Sequence, residues 1–205
     1  MLTGKKIVLG VSGGIAAYKM ANVASMLSKL HADIHVVMTE NATHFITPET
    51  FEVLTGNHCY TDTFDRCMEL HVPHIALGTQ ADAILIAPAS ADVVGKIANG
   101  IADDMLTTCV LPATCPVMLA PSMNVHMYEN PIVQDNMKKL VSYGYEIIEA
   151  DEGYLACRDI GKGKLPPEHV LVDYIIRACA MDKDLAGKKV LVTAGATQES
   201  IDPVR

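Results

Sequence analysis

The sequence predicts a doubly wound parallel α/β sheet, flavodoxin-like or Rossmann-like, with helices on both faces. Three observations carry this. Apolar runs of strand length alternate with segments of helical period. The first run ends in a glycine-rich turn, and later runs end in short turns of small polar residues.

The first strand is expected at Lys6-Ile7-Val8-Leu9-Gly10-Val11. After a Ser-Gly-Gly turn, Ile15, Val23, Met26, Leu27 and Leu30 recur at three- and four-residue steps, marking an amphipathic helix. Further strands are expected at Ile34 to Met38, Ala83 to Ala87, Val117 to Ala120 and Tyr145 to Ile148. Helical segments fall around Val93–Ala98, Ile132–Leu140 and His169–Ala180. Asp151 to Pro167 reads as a long glycine- and proline-rich loop, and a loop of that length in a compact domain is usually functional or disordered. Lys188 to Thr193 reads as a new strand that opens another βα unit. On this reading residues 1–185 form one domain and residues 186–205 the truncated start of a second.

The chain has 205 residues, of which 50% are hydrophobic and 20% charged, enough to bury a substantial core. Sixteen basic residues against 24 acidic ones give a formal net charge of −8, with no basic block. That balance argues against electrostatic binding to nucleic acid or to an anionic membrane. No apolar run approaches the roughly 18 residues of a membrane span, and no signal-peptide pattern opens the chain. The six cysteines form no C-x-x-C pair, so reduced thiols in the cytoplasm are expected in place of a disulfide framework.

Gly10-Val11-Ser12-Gly13-Gly14-Ile15 joins the first strand to the first helix. Glycines there let a backbone approach a phosphate, and free N–H groups at the helix start attract it; a tight turn would also require glycine. The second strand ends Met38-Thr39-Glu40-Asn41, placing a hydroxyl where a mononucleotide phosphate can accept its proton. Ala87-Pro88-Ala89-Ser90-Ala91-Asp92 and Ala120-Pro121-Ser122-Met123-Asn124 lie at strand C-termini, where open α/β sheets bind ligands. Ser90 and Asn124 can contact a ligand there or cap the helices that follow. Cys59, Cys67, His71 and His74 do not match a usual zinc spacing, and no metal is expected. His74, at a helix start, suits a general base or a surface histidine. Cys109 and Cys115 read as inert core thiols, whereas Cys157 lies in the glycine-rich segment beside Arg158, Lys162 and Lys164.

Together these segments resemble the homo-oligomeric flavin-containing cysteine decarboxylases. Ser12-Gly13-Gly14-Ile15-Ala16-Ala17-Tyr18-Lys19 is similar to the family's flavin-phosphate turn, and Pro73-His74-Ile75 to the segment of its catalytic histidine. Ala87 to Asp92 resembles P-A-S-A-N-T, with Asp92 and Val93 in place of Asn and Thr. Pro121 to Tyr128 resembles P-x-M-N-x-x-M-W, with Tyr128 in place of Trp. Gly153 to Gly163 is similar to the family's substrate clamp with its active-site cysteine. Gly195 to Arg205 is similar to the start of a ligase domain, which points to the bifunctional bacterial branch.

The resemblance implies FMN as cofactor, held around Ser12, Gly13, Gly14, Ile15, Thr39, Asn41, Phe45, Ser90, Ala91, Asp92, Val93 and Ser122. It implies His74 and Cys157 as catalytic residues, and Asn124, Met127, Lys162 and Lys164 as substrate contacts. The implied reaction is decarboxylation of 4′-phosphopantothenoylcysteine to 4′-phosphopantetheine in coenzyme A synthesis. It runs through flavin oxidation of the thiol to a thioaldehyde, loss of carbon dioxide and re-reduction of the enethiol. A homotrimer or an assembly of trimers is the expected state, without ligase activity. The alternatives are a lantibiotic-type peptidyl-cysteine decarboxylase, a flavin prenyltransferase and a non-catalytic FMN-binding subunit that regulates a phosphatase.

Overall fold

Six of the strand segments pair into one parallel sheet. The computed structural model describes residues 1–64, 72–154, 159–180 and 187–195. Strands β1 (Lys6–Val11), β2 (Asp33–Met38), β3 (Cys59–Tyr60), β4 (Ala83–Ala89), β5 (Val117–Pro121) and β6 (Glu146–Ile147) lie in the order β3-β2-β1-β4-β5-β6. Every neighbouring pair is parallel. That is the Rossmann order, and chain direction across the sheet reverses between β1 and β4. A second, antiparallel ribbon follows, β7 (Asp151–Tyr154) with β8 (Ile160–Lys164).

The helices are α1 (Lys19–Lys29), α2 (Pro48–Thr55), α3 (Pro73–Gln80), α4 (Ala91–Ala98), α5 (Met105–Val110), α6 (Val125–Glu129), α7 (Pro131–Ser142) and α8 (Glu168–Cys179). Alternation along β1 assigns them to faces. Ile7, Leu9 and Val11 join a core with Val23 and Leu27 of α1, Phe51 of α2, and Leu171 and Ile175 of α8. Val8 points the other way, into a core with Leu77 of α3, Val94 of α4, Leu106 of α5 and Leu140 of α7. Both faces of the sheet are therefore covered, which is why β1 and β4 read as continuous apolar runs.

Three expectations need correction. The segment from Asp151 to Pro167 is not one long loop: residues 151–154 and 160–164 pair as a ribbon. Strand β6 keeps only two residues of the expected four, Glu146 and Ile147. Residues 188–193 form no strand, and Val190, Leu191 and Val192 are 63%, 90% and 78% exposed. β propensity alone does not make a strand, and among the described residues no other strand pairs with this one. The first helix also opens with a tighter 3₁₀ turn, Ile15–Tyr18, before α1. No described helix is long and apolar enough to cross a membrane.

Asp82 ties the N-terminal ends of β1 and β4 together. Its Oδ2 accepts from Lys6 N at 2.8 Å and its Oδ1 from Lys5 Nζ at 3.0 Å. Burial works to raise its pKa, but these hydrogen bonds and the lysine charges outweigh burial and hold the carboxyl below its ordinary value. A carboxyl with a lowered folded pKa stabilises the fold above its unfolded pKa, and that contribution is lost as the pH falls through the folded value. Asp82→Ala is expected to cost about 1 kcal/mol at neutral pH, allowing for solvent screening. In urea unfolding the gap from the wild type should close once the pH drops below the usual carboxylate range.

Candidate functional site

The loops after β1, β4 and β5 leave the C-terminal edge of the sheet side by side. The β8 ribbon closes the fourth side, and a cleft of about 440 Å³ lies between them. Gly13, Gly14 and Ile15 line it from the first loop, Ser90 and Ala91 from the second, and Ser122, Asn124 and Met127 from the third. Lys164 lines it from the ribbon. All nine were singled out in the sequence. Tyr18, Lys19, Pro88, Met123, Tyr154 and Leu165 also line it, and in the sequence they stand only inside longer segments, with no role of their own. Tyr18 and Lys19 directly follow the glycine turn and Tyr154 lies in the glycine-rich segment, so position was the available signal.

The first two loops are joined through Ser12. Its side chain is fully buried; the hydroxyl donates to the Pro88 carbonyl at 2.7 Å and accepts from Ser90 N at 2.9 Å. Both roles of the hydroxyl are thus taken inside the protein, and Ser12 is not on the cleft wall. Gly13 is pressed against the chain after β2: a Cβ there would lie 2.5 Å from Asn41 Cβ. Thr39 N donates to Val11 O at 3.0 Å, which brings Thr39 to the same corner. Its Oγ1 is buried with no hydrogen-bond partner, and the 3₁₀ turn starting at Gly14 has no side-chain cap. A helical turn without a side-chain cap and a buried hydroxyl without a partner are what a phosphate ester would satisfy.

The apolar walls, Ile15, Met127 and Leu165, suit a flat ring beside that corner. Asn41, beside Gly13, and Phe45 are both exposed, and neither lines the cleft. Ser90 caps α4 through Val93 N at 3.3 Å and lines the cleft as well, so capping and ligand contact are compatible there. Asp92 and Val93 are directed elsewhere. The Asp92 carboxylate pairs with Lys96 Nζ at 3.2 Å, one helical turn on, and Val93 is buried in the core.

Asn124 caps α6, its Oδ1 accepting from His126 N at 2.9 Å, while its Nδ2 donates to Asp159 Oδ2 at 2.8 Å. Lys162 is not brought to the cleft. Its ammonium pairs with Glu149 at 3.0 Å, and that hydrogen bond raises its pKa. His74 sits in the first turn of α3, half-buried, with Nδ1 buried and without a partner, and it does not line the cleft. Cys157 and Arg158 lie outside the described residues, as do Cys67 and His71. Among the described residues no three His, Cys, Asp or Glu side chains gather as a metal site. Burial, with the nearby Glu52 and Glu49 carboxylates, pushes the Cys59 thiol up to about 12. Burial does the same for Cys109, also to about 12.

The sequence pattern of the Flavoprotein family matches residues 1–180. The chain belongs to that family. The DNA/pantothenate metabolism flavoprotein C-terminal domain matches residues 185–205. Among curated relatives of this Flavoprotein chain, the coenzyme A biosynthesis bifunctional protein CoaBC of Bacillus subtilis (strain 168) is 48% identical over 207 residues. That alignment covers all of this chain and 51% of the relative, so the chain spans about half the length of the curated relatives it matches. A solved mutant PPC decarboxylase complexed with pantothenoylaminoethenethiol aligns with a TM-score of 0.75 at 29% identity, over 83% of this chain and 96% of that one. The FMN-dependent cysteine decarboxylase SpaF aligns with a TM-score of 0.73 at 34% identity, over 85% and 99%.

Gly163 seats the ribbon on the third loop. Its φ is +142°, and a Cβ there would collide with the Met123 carbonyl oxygen. Gly163→Ala should lift β8 off that loop at a cost of about 1–3 kcal/mol. Limited trypsin digestion should then cut after Lys162 and Lys164 several times faster than in the wild type.

Proposed function

We propose that this chain binds FMN and decarboxylates 4′-phosphopantothenoylcysteine to 4′-phosphopantetheine and carbon dioxide, a step of coenzyme A synthesis in the cytoplasm. The observation that carries the reading is the convergence on one cleft of the glycine turn, the Ser90–Ala91 turn and Asn124. The relative that is 48% identical and named for coenzyme A biosynthesis supports it. Residues 1–185 would form the decarboxylase domain, and residues 186–205 would belong to a ligase domain, in keeping with the match at residues 185–205.

Loss of carbon dioxide from the cysteine α-carbon would leave a carbanion with no electron sink. FMN, when bound, supplies the two-electron acceptor and donor this chemistry needs. The glycine turn, Thr39 Oγ1 and Ser90 would hold it, and Ile15 and Met127 would exclude water from its ring. His74 takes the proton of the substrate thiol; its buried, unpartnered Nδ1 is an unused hydrogen-bonding group at a helix start. Asn124 receives the substrate carboxylate. A neutral amide orients that group without the ground-state stabilisation a positive charge would give. Lys164 receives the phosphate. Cys157 returns a proton to the enethiol carbon skeleton, because an ordinary thiol of pKa near 8.5 is only about 3% ionised at neutral pH.

The working form is a homotrimer or an assembly of trimers. His74 does not line the cleft of its own chain, and Ile15 and Met127 on the cleft wall are 60% and 49% exposed. Contact between copies would cover these side chains and complete the site. A second reading has its own support: SpaF, at 34% identity, is a cysteine decarboxylase without the coenzyme A designation. A peptide ending in cysteine would then be the substrate.

The deciding experiment measures carbon dioxide release from phosphopantothenoylcysteine and from a cysteine-terminated peptide by the FMN-reconstituted protein, with its mass followed by light scattering. Release from the first alone by a trimeric species is the expected result. No release from either substrate, or a colourless protein that cannot take up FMN, would overturn the reading.

Variants at His74 and Cys157 should stop at different stages. With His74→Asn, the flavin absorbance should stay unbleached when substrate is added. With Cys157→Ser, whose hydroxyl is a far weaker acid, about one equivalent of carbon dioxide per site should appear with little phosphopantetheine. Rapid mixing with product analysis distinguishes these from a shared loss of fold, which would abolish flavin binding in both.

A further inference from the structure

Strand β8 meets the loop after β5 through alternate residues. Met123 N donates to Gly163 O at 3.0 Å, and a Cβ on Gly161 would lie 2.6 Å from Val125 Cγ2. Asp159 comes next in the same two-residue period, and its carboxylate reaches Asn124 at 2.8 Å. Two glycines clear the approach, and the acid completes it with a charge-assisted hydrogen bond.

That contact decides which way the Asn124 amide faces. An amide side chain carries an acceptor at one end and two N–H groups at the other, and a half-turn of its last torsion exchanges them. The His126 backbone N–H can only donate, and it meets Oδ1 at 2.9 Å. Asp159 Oδ2 accepts, and it meets Nδ2. The flipped amide would oppose two donors at one end and two acceptors at the other. His126 and Asp159 together leave a single orientation, with the nitrogen on the ribbon side of the cleft.

We propose that Asp159 is a positioning residue of the decarboxylation: it holds the Asn124 amide nitrogen at the ribbon side of the cleft and so makes the cleft select a ligand that bears a carboxylate. This rests on the reading that Asn124 receives the substrate carboxylate. Lys19 and Lys164 line the same cleft and give it positive charge.

The test compares two ligands that differ only in the carboxylate, titrated calorimetrically into the FMN-loaded protein. One is 4′-phosphopantothenoylserine, whose hydroxyl in place of the thiol blocks turnover. The other is its counterpart built on ethanolamine. In Asp159→Asn and in Asp159→Ser, the wild-type preference for the carboxylate ligand should fall about tenfold. Affinity for the ethanolamine ligand and the flavin spectrum should be unchanged. A preference that is kept or strengthened overturns the positioning role. A parallel loss of both ligands overturns it too, because Asp159 would then only dock the ribbon. If the wild type binds both ligands equally, the proposal fails and the functional reading stands. If it binds neither, the functional reading fails and the proposal falls with it. The two variants are independent, and either one decides the matter if the other does not fold.

Discussion

The site depends on one buried hydroxyl. Where β1 and β4 part, their chains leave toward opposite faces of the sheet, and a backbone hydrogen bond from Ser12 N to Pro88 O at 3.3 Å still spans them. Ser12 bridges the gap, donating to Pro88 O and accepting from Ser90 N. Because donor and acceptor are both used, the separation of the glycine turn from the Ser90–Ala91 turn is set within hydrogen-bond tolerance. Ser12→Ala would take the acceptor from Ser90 N and leave Pro88 O with only the longer bond from Ser12 N at 3.3 Å, a penalty larger than the net worth of one hydrogen bond. Everything that lines the cleft from those two loops takes its spacing from this contact.

The opposite wall is built by a different device. The β7–β8 ribbon is exposed along much of its length, with Tyr154 and Ile160 at 64% and 75%, so apolar burial contributes little to holding it. What fixes it is close backbone approach: glycines at 161 and 163 bring β8 against Met123–Val125, where a side chain could not fit. The Met123–Gly163 hydrogen bond and the Asn124–Asp159 contact then add direction. One wall is thus set by a satisfied buried polar group and the other by the removal of side chains.

How much was legible in the sequence follows from these causes. Strands β1, β2, β4 and β5 are buried on both faces, so their apolar runs stand out, and the turns that follow them are small and polar for a visible reason. Strands β3 and β6 have two residues each, too few to show a period. The ribbon was read as a loop because Gly153, Gly161 and Gly163 erase the alternation that marks a strand, although those absences are what let it dock. Residues 188–193 err in the other direction, having strand composition but no partner among the described residues. At the site, Gly13, Ser90 and Asn124 were readable from position after a strand. Asp159 was not, because its partner lies 35 residues away. Nor could sequence separate Lys162 from Lys164, since only the placement of Glu149 draws the first one off.

The two thiols buried in the cores on either side of the sheet have a consequence for selectivity. With pKa values of about 12, Cys59 and Cys109 are ionised to roughly one part in 10⁵ at neutral pH. A sulfur nucleophile must be a thiolate to attack, so these two are silent toward electrophiles. On the proposed reaction the cleft would generate a thioaldehyde, a carbon centre that any neighbouring thiolate could trap as a dead-end adduct. Sinking those sulfurs into the two cores allows the protein to carry them as packing atoms while leaving such an electrophile without a competing trap from these positions.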